Sequence, residues 1–183
     1  MANIQQGIQD FYRVAQERDF TRDFQFRVLD IQDRGVSVCT QDDLVYAQTA
    51  QLPARAVANQ TVPYMGLSFN VPGAATYTGS EGYAIQFRAD GEHIIRTIFE
   101  NWQNDIFDDD TSTGTYRLYA NSSITLGLLN QDLDVTRQYQ LIGCFPVTVG
   151  EIGFDTAGTG APLNFTATLA YQYWRRKVLP TAL

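Results

Sequence analysis

The sequence has few of the side chains that usually carry out catalysis. It contains one histidine, His93, and two cysteines, Cys39 and Cys144. His93 stands beside Glu92 at the expected start of a helix, and the sequence offers no candidate nucleophile for it to activate. We therefore interpret it as an exposed residue of the first helical turn and not as a general base. The scarcity of such groups predicts a protein that is not an enzyme, with no catalytic residues.

Sequence motifs for bound groups are missing as well. No glycine-rich loop is followed by Lys-Ser or Lys-Thr, so no phosphate cradle is predicted. Residues 79–82 read Gly-Ser-Glu-Gly and lack the Gly-x-Ser-x-Gly spacing of a nucleophile elbow, which leaves a turn. We expect no cofactor and no cofactor-binding residues.

The acidic run at Asp105 and residues 108–110 invites comparison with a calcium loop. An EF-hand loop beginning at Asp108 would need glycine at its sixth position and glutamate at its twelfth. Thr113 and Tyr119 stand there instead. We therefore predict a solvated loop over residues 105–114 and no metal site.

Long apolar runs are absent too. No stretch approaches the eighteen or more apolar residues of a membrane helix, and the first six residues lack the basic start and apolar run of a signal peptide. Two distant cysteines in such a chain are best interpreted as reduced thiols. These features predict folding in a reducing cytoplasm.

Charge is the last scarce property. Charged residues make up 18% of the 183 residues, and the formal net charge is −7. An acidic chain is poorly suited to hold nucleic acid or an anionic membrane through phosphate contacts, although it suits a protein that must avoid holding them. The clearest basic cluster is Arg175, Arg176 and Lys177.

Period-two alternation is the strongest pattern present. Between Arg137 and Trp174 it predicts two strands joined by a glycine-rich connection. On the second strand, apolar residues occupy alternate positions from Leu163 to Tyr173, and small polar residues fill most of the other positions. Such a strand has one face for a core and one uncharged polar face.

Further strands are predicted over residues 24–31, 44–50, 61–71, 76–78, 83–89 and 116–126, with a turn at Pro72-Gly73. A helix is expected over residues 4–18. A second helix follows Asp90, with an apolar stripe of Ile94, Ile95, Ile98, Phe99 and Trp102. The pattern predicts a mainly β fold, a β-sandwich or rolled antiparallel barrel with one internal packed helix and a short N-terminal helix.

No repeat or low-complexity linker divides the chain, so one domain is predicted over residues 1–183. Within it we expect an extended arm or loop over residues 33–55 and a C-terminal tail over residues 175–183. The arm is a candidate for reaching an adjacent subunit.

Several segments resemble the tail tube protein of contractile-tailed, myovirus-type bacteriophages, a family related to the tube proteins of type VI secretion systems. The most specific part is Phe-Pro-x-x-x-Gly-Glu-Ile at residues 145–152, followed by Tyr-x-Tyr-Trp at residues 171–174. The resemblance extends from about residue 8 to residue 174 and includes residues 24–28, 50–53, 62–65 and 98–102.

This resemblance implies a structural virion protein. Its copies would form stacked hexameric rings, in which strands of each subunit join a tube-wide inner β-barrel that serves as the conduit for genome ejection. The implied partners are further copies of the chain, the tail sheath protein, the baseplate and tail terminator proteins, and the tape measure protein and DNA that pass through the lumen. The implied location is the virion tail, assembled in the host cytoplasm, without membrane binding by this chain alone.

Two alternatives remain at the level of sequence. One is the tube protein of a type VI secretion system or another contractile injection system, which would share the fold and carry protein. The other is a monomeric small-molecule binder built on a β-barrel, with aromatic residues lining a pocket.

Overall fold

Two antiparallel sheets enclose the hydrophobic core. The computed structural model describes residues 7–18, 20–115 and 118–177. Sheet A has five strands and sheet B has four, and two smaller hairpins stand apart from both sheets. The predicted mainly β, antiparallel fold with a short N-terminal helix and one internal helix is confirmed.

The elements have the following bounds. Helices α1, α2 and α3 span Ile8–Arg18, Gln41–Leu44 and Ile94–Ile106, and a 3-10 turn spans Leu118–Asn121. The strands are β1 Phe26–Asp33, β2 Val36–Ser37, β3 Ala47–Thr49, β4 Ala56–Tyr64, β5 Leu67–Thr76, β6 Tyr83–Arg88, β7 Phe107–Asp108, β8 Thr113–Gly114, β9 Ser123–Leu129, β10 Val135–Ile142, β11 Phe145–Val149, β12 Asn164–Ala170 and β13 Tyr173–Lys177. Sheet A has the strand order β13-β10-β9-β1-β2, and sheet B has the order β11-β12-β6-β3. The two smaller hairpins are β4–β5 and β7–β8.

Two paired strands pass from one sheet to the other at the same place. β10 leads into β11 across residues 143–144, and β12 leads into β13 across residues 171–172. β10 pairs with β13 in sheet A, whereas β11 pairs with β12 in sheet B. The sequence predicted strands that run straight through both bends, to residue 145 and over residues 163–173, and a loop from residue 146, so β11 was missed. That prediction was incomplete, because rolling the sheets around one core requires both strands to bend.

Gly143 makes the bend possible. Its φ is +70°, and a Cβ at this position would lie 2.7 Å from Cγ of Gln172 on the neighbouring strand. The backbone N–H groups of Gly143 and Cys144 both donate to the Ser122 carbonyl oxygen, at 2.9 and 3.2 Å. The backbone N–H of Gln172 donates to the Ile142 carbonyl oxygen at 3.0 Å. The corner therefore keeps these backbone groups satisfied while the ladder is interrupted.

The internal helix packs where its apolar stripe predicted. Ile95, Phe99 and Trp102 are buried, and the Phe99 ring lies 5.5 Å from that of Phe87 in sheet B. Ile94, at the helix start, is 46% exposed and so lies outside the buried stripe. Asp90 is not the N-cap residue that the sequence suggested, since His93 holds that position, but an Asp90 side-chain oxygen accepts a hydrogen bond from the Ile94 N–H at 2.9 Å.

Part of the extended arm or loop predicted over residues 33–55 folds back on the core. Cys39 and Leu44 within this segment are 6% and 2% exposed. The Val38 N–H donates to the Ile31 carbonyl oxygen at 3.0 Å, and Thr40 and Asp43 form a capping box on α2. Residues 36–44 therefore pack beside β1, whereas β3 pairs with β6 in sheet B and residues 51–55 belong to no helix or strand.

Other boundaries also move. The strand predicted over residues 116–126 is replaced at its start by the 3-10 turn, and β9 begins at Ser123. Arg175, Arg176 and Lys177, assigned to a tail, lie in β13, while residues 178–183 are outside the described residues. The predicted start of the first helix, before residue 7, is also outside them. None of the described helices is both long and apolar enough to span a membrane.

Replacing Trp102 with alanine should strongly destabilise the protein. Trp102 is 3% exposed and stacks on Phe99. Emptying a large aromatic site costs about 3–5 kcal/mol in the free energy of unfolding, measured by urea titration. Ile94→Ala on the exposed side of the same helix should cost less than about 1 kcal/mol. Equal losses for the two variants would contradict the packing of this helix.

Gly143→Ala should destabilise the corner. The substitution combines a positive φ with the close approach of Gln172, and we expect a loss of about 1–3 kcal/mol. Gly153→Ala is the matched control, since a Cβ there meets no atom within 4 Å and its φ is not in the left-handed region. A difference below about 0.5 kcal/mol between the two variants would show that the corner is not strained by a side chain.

Candidate assembly surface

The groups considered for chemistry lie in separate parts of the fold. His93 is the N-cap residue of α3, with a φ of 54°, and its ring lies edge-on to Phe154. It is partly buried, not exposed as expected, and its Nδ1 atom is buried with no hydrogen-bond partner among the described residues. Residues 79–82 form turns.

The two cysteines are structural. Both are free and buried, and burial raises the pKa of each thiol to about 12. A thiol with such a pKa stays protonated near neutral pH, and the thiolate is the reactive form. Cys39 and Cys144 therefore behave as small core residues.

The acidic segment forms a small exposed hairpin. Asp105, at the end of α3, makes an ion pair with Arg34. The Asp108 carboxylate accepts hydrogen bonds from the Thr111 hydroxyl and the Asp110 N–H, which lower its pKa. Across the described ranges, no group of three His, Cys, Asp or Glu side chains is placed to hold a metal ion.

The β4–β5 hairpin is the most unusual surface of the molecule. Its strands have nine and ten residues, so it projects roughly 30 Å at about 3.4 Å per residue. Met65 and Gly66 form the two-residue turn, with φ values of 48° and 81°. All residues of β4 and almost all of β5 are exposed. An isolated two-stranded hairpin is marginally stable in water, so this one needs a further surface to pack against.

The hairpin has one apolar and one polar face. Residues directly opposite each other in an antiparallel pair share a face. Val62 lies opposite Phe69 and Tyr64 opposite Leu67, which places four large apolar side chains together, each between 47% and 64% exposed. The other face pairs Thr61 with Asn70 and Pro63 with Ser68. The apolar face is a row of unpartnered side chains of the kind that marks an interface.

Sequence reasoning missed this hairpin. It predicted one strand over residues 61–71 followed by a turn at Pro72-Gly73, but both of those residues lie within β5. The signal that was missed is a shift in the alternation of apolar and polar residues. Apolar residues occupy even positions up to Tyr64 and odd positions from Leu67, with Gly66 between them. A two-residue turn containing glycine produces this change.

Helix α1 is a second unpartnered element. It is amphipathic, yet none of its residues is buried. Phe11 and Tyr12 are 59% and 62% exposed, and the Phe11 ring stacks on Phe20 at 5.9 Å. The chain therefore exposes two apolar surfaces that its own core does not use.

Some edges of the two sheets are blocked by side chains of the same chain, and others are open. At β11, side chains of α3 bind the outward carbonyl oxygens: Gln103 donates to Val147 at 3.2 Å and Arg96 to Gly150 at 2.6 Å. At β1, Gln41 donates to the Leu29 carbonyl oxygen at 3.0 Å. Strand β13 has β10 on one side and no strand of the described residues on the other. Blocking some edges and leaving others open restricts which strands can join another chain.

The outer face of sheet A is polar, with uncharged side chains at its centre and Arg27, Asp30, Arg175 and Lys177 toward its two ends. A chain of side-chain hydrogen bonds crosses it, from Ser37 to Asp30, Gln32, Ser123 and Gln140, with donor–acceptor distances between 2.6 and 3.3 Å. Each of these groups is held by its neighbours. The face is suited to contact water or a passing solute and carries no catalytic arrangement.

Comparison with known proteins identifies the family. The sequence pattern of the phage tail tube protein family matches residues 15–177. The chain belongs to this family. It is 25% identical over 169 residues to tail tube protein gp19 of Enterobacteria phage T4, covering 91% of this chain and 98% of that protein. It is 24% identical to tail tube protein gp19 of Enterobacteria phage T6 over the same length.

Solved structures share the fold of this tail tube protein. A chain of the anti-feeding prophage baseplate matches with a TM-score of 0.59 at 14% identity, covering 86% of this chain and 95% of that chain. A chain of the sheath–tube complex of an extracellular contractile injection system matches with a TM-score of 0.52, also at 14% identity, covering 91% and 97%. The predicted family and structural role in the phage tail are confirmed.

The apolar face of the hairpin should be required for assembly of the tail tube protein but not for its folding. Phe69→Lys places a charge on that face, which should prevent assembly because burying an unpaired charge is costly. The free energy of unfolding of the monomer should change by less than about 1 kcal/mol, since Phe69 is 50% exposed. Sedimentation velocity and thermal unfolding measure the two effects.

Ser68→Lys is the matched control for Phe69→Lys. Ser68 is the adjacent residue and points to the polar face, opposite Pro63. This variant should assemble like the unmodified chain. Assembly by Phe69→Lys, or its loss in both variants, would contradict the assignment of the apolar face.

Proposed function

We propose that this protein forms the tube of a contractile phage tail, with six copies in each ring and rings stacked into a continuous conduit. The observation that carries the proposal is the amphipathic β4–β5 hairpin. Its apolar face has no partner among the described residues, and in a homo-oligomer the partner is another copy. Family membership supports the same reading over a monomeric small-molecule binder.

Ring closure also accounts for the sheet edges. A ring is built from heterologous contacts, in which one surface of a subunit meets a different surface of the next. The open β13 edge and the projecting hairpin offer such unlike surfaces. Strands of neighbouring subunits then line a common inner barrel, which removes exposed edges that would otherwise promote aggregation.

The conduit must let its cargo slide. DNA that is held by many Lys and Arg contacts binds tightly and in a salt-dependent way. Both sheets present uncharged polar groups outward, such as Gln32 and Gln140 on sheet A and Thr166 and Thr168 on sheet B. With a net charge of −7 on each copy, a wall made from these uncharged groups does not grip DNA, provided that Arg175 and Lys177 on the outer face of sheet A are engaged by another copy.

The remaining partners follow from the proposed tube. The tail sheath protein would surround it, the baseplate and tail terminator proteins would contact its ends, and the tape measure protein and then DNA would occupy its lumen. Structures with this fold come from a baseplate, a sheath–tube complex and a tube-terminating cap of other systems. The protein acts as one structural domain over residues 1–183, without catalysis, cofactor or membrane binding, and assembles in the host cytoplasm before residing in the virion tail.

Electron microscopy of the purified chain tests the proposal. We expect sixfold rings or tubes with an open channel at high protein concentration. Assembled tubes should show only weak binding of duplex DNA at physiological salt. A monodisperse monomer at every concentration would contradict assembly, and tight, salt-sensitive DNA binding would contradict the proposed wall. Recovery of protein instead of DNA as the lumen cargo of native particles would favour an injection system over a phage tail.

A further inference from the structure

The two ends of sheet A carry opposite charges. At one end is edge strand β13, whose last three residues, Arg175, Arg176 and Lys177, are all exposed. At the other end are β1 and the segment over residues 36–44 that covers it. This end carries four acidic residues: Asp33 is buried and paired with Arg34, and the other three are Asp30, Asp42 and Asp43. The same sheet thus has a basic edge and an acidic edge.

The basic edge lacks partners within the described residues. No carboxylate there forms an ion pair with any of its three cations, and the Arg175 guanidinium lies 5.1 Å from the centroid of the Tyr173 ring. Arg175 and Lys177 lie opposite Gln140 and Gln138 of β10 and so share one face of the strand. Their charge is available to a second molecule.

The acidic edge is also uncompensated. Asp30 accepts hydrogen bonds from the uncharged groups of Gln32 and Ser37, at 2.6 and 2.7 Å, and Asp43 caps α2. Asp42 is exposed. Two cations lie near this edge. Arg34 is paired with Asp33 and Asp105, and Arg88 lines the same surface pocket as Asp42 without an ion pair to it among the described residues.

The other cation of this strand, Arg27, lies opposite Gly127, toward the far end of β1 from Arg34. No ion pair within the described residues involves Asp30, Asp42 or Asp43, so these three carboxylates of the acidic edge have no paired cation there. Asp42 is exposed, and Asp30 and Asp43 are half-buried.

We propose that the basic edge of one copy docks against the acidic edge of the next copy and fixes the direction of ring closure. The inference rests on the proposed tube function and specifies the contact between neighbouring subunits. The two edges are unlike surfaces at opposite ends of one sheet, as a heterologous ring contact requires. Complementary charge at such a contact favours the correct partner and orientation.

Side chains, not a continuous backbone ladder, make this contact where β1 is covered. The carbonyl oxygens of Leu29 and Ile31 already accept hydrogen bonds from Gln41 and Val38 of the same chain. This contact between the basic edge of one copy and the acidic edge of the next, the seam, also engages Arg175 and Lys177. These cations are therefore not free to hold a polyanionic cargo. The competing acidic surface is the β7–β8 hairpin with residues 108–110, which the test below separates from the acidic edge.

Lys177 allows a direct test because it is the only lysine in the sequence. A zero-length carbodiimide cross-linker joins an amine to a carboxylate that it contacts. Tubes assembled from equal parts of unlabelled and ¹⁵N-labelled protein distinguish links between copies from links within one copy. Mass spectrometry should find Lys177 linked to Asp30, Asp42 or Asp43 of a different copy. Links from Lys177 to residues 108–110, or none to the acidic edge, would overturn the proposal.

Charge reversal provides an independent test. Arg175→Glu with Lys177→Glu makes both edges acidic, and Asp30→Lys with Asp42→Lys makes both edges basic. Each double variant alone should need at least about tenfold more protein to form rings, because like charges then meet at every seam. An equal mixture should assemble like the unmodified chain, since alternating copies restore unlike pairs in a ring of six. Asp42→Lys alone replaces the second variant if Asp30→Lys disturbs folding.

The control is Arg13→Glu with Arg18→Glu. It makes the same change in net charge at exposed residues of α1, which belongs to neither sheet. This variant should assemble normally. A mixture of folded edge variants that fails to assemble, or an Arg175→Glu/Lys177→Glu variant that behaves like the control, would overturn the seam. Failure of the unmodified chain to form any ring would instead overturn the proposed function.

Discussion

The structure depends on a bend that two paired strands make together. β10–β11 and β12–β13 belong to both sheets, so the corner at residues 143–144 and 171–172 fixes how sheet A lies over sheet B. Gly143 permits the bend, and the Ser122 carbonyl oxygen accepts the two N–H groups that leave the ladder. The core forms around this geometry: Ile124 and Leu141 face it from sheet A, and Phe87 and Phe165 from sheet B.

A rolled core of this kind satisfies the interior and leaves the periphery incomplete. The long hairpin, helix α1 and the backbone edge of β13 all present surfaces that no helix or strand of the described residues covers. Other edges are blocked by the chain's own side chains, as Arg96 and Gln103 do at β11. This combination of blocked and open edges is what a protein needs if it is to join its own copies in one arrangement and avoid all others.

Local patterns predicted the parts of the fold that local physics determines. Alternation identified the buried face of β12, with Phe165, Ala167 and Leu169, because side-chain direction in a strand needs no knowledge of the partner. The apolar stripe of α3 identified Phe99 and Trp102, because side-chain direction along a helix also follows from the helix period alone.

The parts that escaped prediction depend on tertiary contacts. The bend at Gly143 arises from the second sheet, and residues 36–44 fold back because β1 offers them carbonyl oxygens and a core. The hairpin at Met65-Gly66 left a readable shift in the alternation, but its exposure could be seen only once the rest of the core was complete without it. The assembly surface was therefore the least predictable feature, although the family resemblance implied that one exists.

Hydrogen–deuterium exchange of β4–β5, compared between monomer and assembled tube, measures whether the hairpin becomes buried when the protein assembles. In the monomer, residues 56–76 should exchange quickly, because a projecting two-stranded hairpin opens at little cost in free energy. In the tube the same backbone amides should become strongly protected, while those of β6 and β12 stay protected in both states. A hairpin that exchanges equally fast in tube and monomer would contradict the account, since its apolar face would then have no partner in the assembly.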